Sequence, residues 1–178
     1  MGMDQSLFRT TKKCHAAKIA FSKLRTEYEK KVEALYTSEA WKPFIESLPR
    51  DEFGHFANDK FSAEQRKRVG VWRRGLHRIA KEVGIKLDKD RRPYLDKETY
   101  GLKDEEFDEE IAGWRKNWSL HTFIRDNFLE DKENDNLIPI YLSKEDCEKI
   151  VAAGFIEGFQ EALRHWDDEH EVFYWAWY

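Results

Sequence analysis

The sequence predicts a mainly α fold with a minor α+β character: a helical domain of about five helices with one or two short C-terminal strands. Three observations predict it. Gly and Pro are sparse, nine and four in 178 residues, which favours helix over a turn-rich sandwich. Apolar residues recur at helical spacing over several long stretches. Two Ser-led capping signatures mark where helices begin.

The first long helix is expected from about Thr10 to Tyr36, where Cys14, Ala17, Phe21, Leu24, Tyr28, Lys31 and Leu35 follow a 3-4 spacing with one polar break. A short helix from Ser38 to Ser47 follows, and Pro49 and Gly54 mark a loop. Ser62-Ala-Glu-Gln65 reads as a capping box, so a helix runs from Ser62 to Val83 and Gly84 closes it. The charged stretch 85–102, containing Pro93, is read as a loop with a short extended piece. The acidic residues of 104–110 then open a helix through Trp114 to Phe128, since carboxylates suit the positive end of a helix dipole. Residues 130–136 read as a polar loop. Ile138 to Leu142 reads as a short strand, with Pro139 confining it to an edge. Ser143-Lys-Glu-Asp146 is a second capping box, opening a helix lined by Cys147, Ile150, Val151, Phe155, Phe159 and Leu163. The end, Val172-Phe-Tyr-Trp-Ala-Trp-Tyr178, reads as a buried strand or a short helix.

The chain reads as one domain over 1–178, with a hinge at 85–102 between a basic N-terminal helical part and an acidic C-terminal part. Residues 1–100 hold 23 Lys/Arg against 15 Asp/Glu, a net of +8; residues 101–178 hold 8 against 20, a net of −12. Such a division suits two partners of opposite sign, or pairing of the two halves with each other. Composition, 40% hydrophobic with seven Trp and twelve Phe, excludes a disordered chain. The opening residues carry no signal-peptide pattern, and no apolar run is long enough to span a membrane. The reading is therefore cytoplasmic, with no membrane partner. Cys14 and Cys147 stand in no metal-like spacing and read as two reduced core thiols rather than a disulfide.

Two surfaces carry candidate chemistry. On a continuous helix, Trp114, Trp118, His121 and Arg125 fall within about 60° of each other. The plainer reading makes them core, with His121 bonded to backbone and Arg125 paired with a carboxylate. The functional reading makes them a ligand-binding cleft, in which Trp stacks a planar group while Arg125 and His121 hold its negative charge. On the 62–83 helix, Val69, Trp72, Leu76, Ile79 and Val83 form one face, and Arg66, Lys67, Arg73, Arg74, His77, Arg78 and Lys81 cluster on the other. That second face suits an anionic partner, either nucleic acid or an acidic protein, unless it is solvated or packs near the acidic 104–110 turn. His165-Trp-Asp-Asp-Glu-His170 is rich in metal-ligand types but sits where a helix ends, so a solvated turn is preferred to a metal site. No P-loop, G-x-S-x-G or dinucleotide fingerprint is present, and no catalytic residue, cofactor or metal is assigned. The 20 carboxylates of the second half also admit mimicry of DNA charge, a minor reading because helix starts account for many of them.

The segment Trp114-Arg115-Lys116 with His121 five residues later, followed by Tyr141-Leu-Ser-Lys-Glu-Asp-Cys147, resembles a group of small proteins encoded by phages and prophages. Those carry a W-R-K-A-N-x-I-H-x-W-F helix, a polar loop, and a strand ending V-S-R-E-x-L. The aromatic Phe173-Tyr174-Trp175 is similar to their C-terminal region. The likeness covers residues 110–150 and the end. Trp118 stands at their Asn, Asn117 at their Ala, and their F-F-F-G-S-T stretch is missing. The resemblance implies a phage-type accessory protein and supplies no activity. The expected function is thus non-catalytic binding of a host or defence component in the host cytoplasm, as an anti-defence inhibitor for example. The partner would be a protein or an anionic nucleotide-like ligand, and a homodimer is compatible. The alternative is a nucleic-acid-binding protein using the basic helix.

Overall fold

A computed structural model describes residues 3–129 and 138–177. The polar loop expected at 130–136 lies outside the described residues. The chain forms two compact units: unit 1 is Met1–Ala16 with Lys97–Tyr178, and unit 2 is Ala17–Asp96. The change of unit at Asp96/Lys97 falls inside the 85–102 stretch; the other change falls within the first helix.

Unit 1 overturns the mainly α expectation. It is α+β, built on a four-stranded antiparallel sheet in the order β4-β1-β6-β5, with β1 at Asp4–Thr11, β4 at Glu109–Arg115, β5 at Ile140–Leu142 and β6 at His170–Trp177. Among the described residues the whole chain has seven α-helices and six strands, against the five helices and one or two strands expected. The largest corrections are β1 and β4. The sequence assigns no element to β1 before Thr10, where it expects a helix to begin, and it expects β4 as helix. Neither has a decisive pattern of its own. Ile111 and Trp114 fit helical spacing as well as Ala112 and Trp114 fit alternation, and pairing with β1, about a hundred residues away, decides for strand. The acidic residues at 104–106 form a 3-10 turn instead of a first α turn. β6 is a central strand, paired on both sides, as its aromatic and β-branched content suits.

One sheet face carries Leu7, Val172, Tyr174, Ala176, Ile140 and Leu142 into a core with α5 (Trp118–Phe128), α6 (Lys144–Ala152) and α7 (Phe159–Arg164). The helix expected to run on to Leu163 is two helices, because Gly154 and Gly158 take φ of 98° and 76°. The Ser143 capping box holds as expected: Ser143 Oγ accepts from the Asp146 N–H. The opposite sheet face is an aromatic row. Phe8 stacks on Phe173 at 5.1 Å, Tyr141 meets Phe173 at 5.3 Å, and Trp175 meets Trp177 at 5.1 Å.

Unit 2 is helical. α1 (Lys12–Thr37) begins in unit 1 and runs through unit 2, which adds α2 (Lys42–Glu46), α3 (Ala63–Val83) and a β2–β3 hairpin (Lys86–Leu87 with Pro93–Tyr94). The short α4 (Lys97–Tyr100) opens the second part of unit 1. Tyr28 of α1 packs with Ile79, Ala80, Val83 and Ile85, flanked by Phe21, Leu24 and Val32. A second cluster joins Phe44, Ile45, Leu48 and Phe61 to Val69. Among the described residues no helix is long and apolar enough to cross a membrane. Cys14 and Cys147 are free and buried, and burial pushes the Cys147 thiol up to about 12.

Candidate functional site

α3 is fixed at both ends. Ser62 Oγ accepts the Gln65 N–H at 3.1 Å, Gln65 Oε1 accepts the Ser62 N–H at 2.8 Å, and Gly84 closes the helix at φ 82°. With register set, Val69, Leu76, Ile79 and Val83 are buried. Arg66, Lys67, Arg74, His77, Arg78 and Lys81 are exposed, and Arg73 is half-buried. The helix thus separates its faces much as the sequence predicts, except that Trp72 of the apolar face and Arg73 of the basic set are only half-buried.

The basic residues do different work. Arg68, which was outside the predicted set, is structural: it donates to the Ala40 carbonyl at 3.0 Å and lies 4.5 Å over Phe44. Arg66 donates to the Asp59 carbonyl at 3.3 Å. The acidic neighbour Glu82 is taken by Lys31 at 2.5 Å, and that hydrogen bond, more than Arg78, holds the Glu82 carboxyl low. Elsewhere in unit 2, Lys86 pairs with Asp96 at 2.7 Å and Arg25 with Glu29 at 2.8 Å. Lys67, Arg73, Arg74, His77, Arg78 and Lys81 have no ion-pair partner among the described residues. In unit 1, Asp104 pairs with Lys97, while Glu106 accepts the Lys103 N–H and pairs with Lys13 at 3.1 Å.

Beside these cations, Leu35, Trp41, Val71 and Trp72 line a groove of about 260 Å³, with Arg74 and Arg78 at its side. Gly75 keeps it tight: a Cβ there would meet Leu35 Cδ2 at 3.3 Å. Val71 is 44% exposed although apolar. Sequence reading missed Trp41 and Leu35 as parts of this surface. They are remote from α3 in the chain, and periodicity within one helix carries no trace of them.

The other predicted set does not share a helical face. Trp114 lies on β4 and stacks on Phe159 at 5.7 Å and 10° between planes. Trp118 begins α5 and is 52% exposed. His121 is buried, its Nδ1 3.2 Å from the Tyr174 hydroxyl. Arg125 bonds Asp126 Oδ1 at 2.9 Å.

A third cluster gathers where β6 begins. Asp167 Oδ1 accepts from His170 Nδ1 at 2.8 Å and from the Glu169 and His170 backbone N–H groups at 2.9 Å, while Arg9 pairs with Oδ2. The His170 hydrogen bond, aided by those N–H groups, holds the Asp167 carboxyl down at about 2. His15 pairs with Glu171 and stacks on Tyr141 at 3.8 Å between centroids. Burial, with the Asp108 and Glu171 charges, pushes the Tyr141 hydroxyl up to about 12. This set is knit by ion pairs and by the His15–Tyr141 ring contact. Ser143 Oγ is bonded to Asp146 at 2.6 Å, and both thiols are buried. Among the described residues no three His, Cys, Asp or Glu side chains are grouped to hold a metal ion. Its arrangement ties β1 and α1 to the start of β6.

Comparison of the chain with protein-family models, with curated proteins and with solved structures finds no match.

Proposed function

We propose that this chain is a non-catalytic binding protein that holds an anionic partner on the exposed face of α3, in the phage-type accessory role that the W-R-K and strand-to-helix resemblance implies. One observation carries the reading: Lys67, Arg74, His77, Arg78 and Lys81 stand exposed on one helix without an ion-pair partner among the described residues. Neighbouring Lys31, Lys86 and Arg25 in the same unit are each matched to a carboxylate. Like charges crowded on one helix repel each other by a few tenths of a kcal/mol per pair, about 0.2–0.5, so a partner that neutralises them is favoured.

The test is affinity capture from host lysate, with proteins, nucleic acids and small molecules all identified. It is run beside the Arg74→Glu, Arg78→Glu double variant, both positions being exposed. The variant is expected to melt close to the wild type, since exposed substitutions change stability by roughly ±0.5 kcal/mol, and to lose what the wild type captures. An identical catch from both proteins would overturn the proposal. A collapse of stability in the variant would overturn it too, by showing that the arginines are internal partners.

A further inference from the structure

We propose that the anionic partner is single-stranded nucleic acid, with its phosphates on Arg74, Arg78 and Lys81 and one base in the groove beside Trp41 and Trp72. This rests on the reading of α3 as an anionic-partner surface and names the class that fills it.

Charge comes first. Unit 2 holds 19 Lys/Arg against 13 Asp/Glu, a net of +6, while the remainder of the chain holds 12 against 22, a net of −10. The cationic character therefore belongs to the unit that contains α3, and a polyanion is drawn there. Spacing comes second. Arg74, Arg78 and Lys81 follow each other at about one helical turn, ~5.4 Å of rise, so a chain of phosphates laid along α3 meets a cation at each turn. Two of the three are arginines, whose planar fork matches a phosphate bidentately.

The groove decides between partners. Its lining includes Trp41, Trp72 and an exposed Val71 together with Arg74 and Arg78. At about 260 Å³ it is smaller than the roughly 300–1,000 Å³ of sites for drug-sized ligands. It suits one flat ring system with its charge held outside. A nucleotide within a strand has that form: an apolar-faced base with phosphates on both sides. A duplex keeps its bases paired and stacked, leaving the groove unused. A run of acidic residues supplies charge and no ring.

The experiment measures anisotropy of labelled oligo-dT and oligo-rU, a duplex of equal length, and poly-glutamate. Single strands are expected to bind roughly tenfold tighter than duplex, the order of one stacked base. Changing Arg74 and Arg78 to Gln should flatten the salt dependence by about 1.4, at ~0.7 per lost phosphate contact. Val71→Glu places a carboxylate at the groove from an exposed position; it should bring single-strand affinity down to the duplex level, whereas Val71→Thr should not. An iodouridine-bearing strand, irradiated when bound, should cross-link to Trp41 or Trp72. A preference for oligo-rU or oligo-dT would identify RNA or DNA as the source. Equal affinity for single strand and duplex, with no cross-link at either Trp, would overturn this inference and leave the anionic surface standing. Arginine-dependent binding of poly-glutamate alone would do the same. Indifference of every probe to Arg74 and Arg78 would overturn both.

Discussion

His121 Nδ1 lies 3.2 Å from the Tyr174 hydroxyl, and both side chains are buried, at 2% and 0% exposure. The contact joins α5 to the central strand β6. It places this histidine among the groups that hold unit 1 together. A buried polar group that loses a partner costs about 1–3 kcal/mol, whereas removing both members at once is much cheaper. Tyr174→Phe is therefore expected to lower stability in urea denaturation on that scale. Adding His121→Phe should recover part of the loss. A neutral Tyr174→Phe would show that the contact contributes nothing.

Gly158 opens α7 with φ 76°, and a Cβ there would fall 2.5 Å from Ala112 Cβ and 3.3 Å from the Trp114 ring. Left-handed backbone costs an L-residue about 1–2 kcal/mol, and overpacking adds about 1–3. Gly158→Ala should therefore lose about 2–5 kcal/mol. Gly54→Ala makes the comparison: its φ is 81° with nothing within 4 Å, so only the backbone cost applies. Equal melting temperatures for the two variants would show that β4 yields to the extra methyl.

Asp167 gives an acid-stability prediction. Its carboxyl is held from an ordinary 3.8 down to about 2, first by the hydrogen bond from His170. A depressed carboxylate stabilises the fold above its unfolded pKa, and the contribution is lost as pH falls through the folded one. The contribution is thus complete above roughly pH 4 and disappears towards pH 2. Asp167→Asn should unfold more easily than the wild type at neutral pH, and the two should converge at the acid end. Parallel acid-unfolding curves would show that the Arg9–Asp167–His170 cluster does not couple to folding.

What could be read from residues alone was local. The Ser62 and Ser143 boxes, the Gly84 stop and the two faces of α3 each depend on side chains within a few positions of one another, and all are found where expected. The exposure of Arg66, Lys67, Arg74, His77, Arg78 and Lys81 was legible for the same reason, because one helix displays its own charge pattern, whereas Arg73 is half-buried. The end, Val172 to Tyr178, was narrowed to strand or short helix, and pairing on both sides makes its described part, to Trp177, a strand.

What tertiary structure decided was pairing at a distance. Asp4–Thr11 has little to distinguish it as a strand until β6 and β4 lie on its two sides, and Glu109–Arg115 reads as helix until β1 supplies its hydrogen bonds. That pairing took Trp114 off the helical stripe it was expected to share with Trp118, His121 and Arg125. It also turned a mainly α expectation into an α+β fold. The groove beside Arg74 and Arg78 arose in the same way, from Leu35 and Trp41 brought to α3 by folding. Periodicity records which way a residue faces on its own element; only the packing of one element on another records what that face meets.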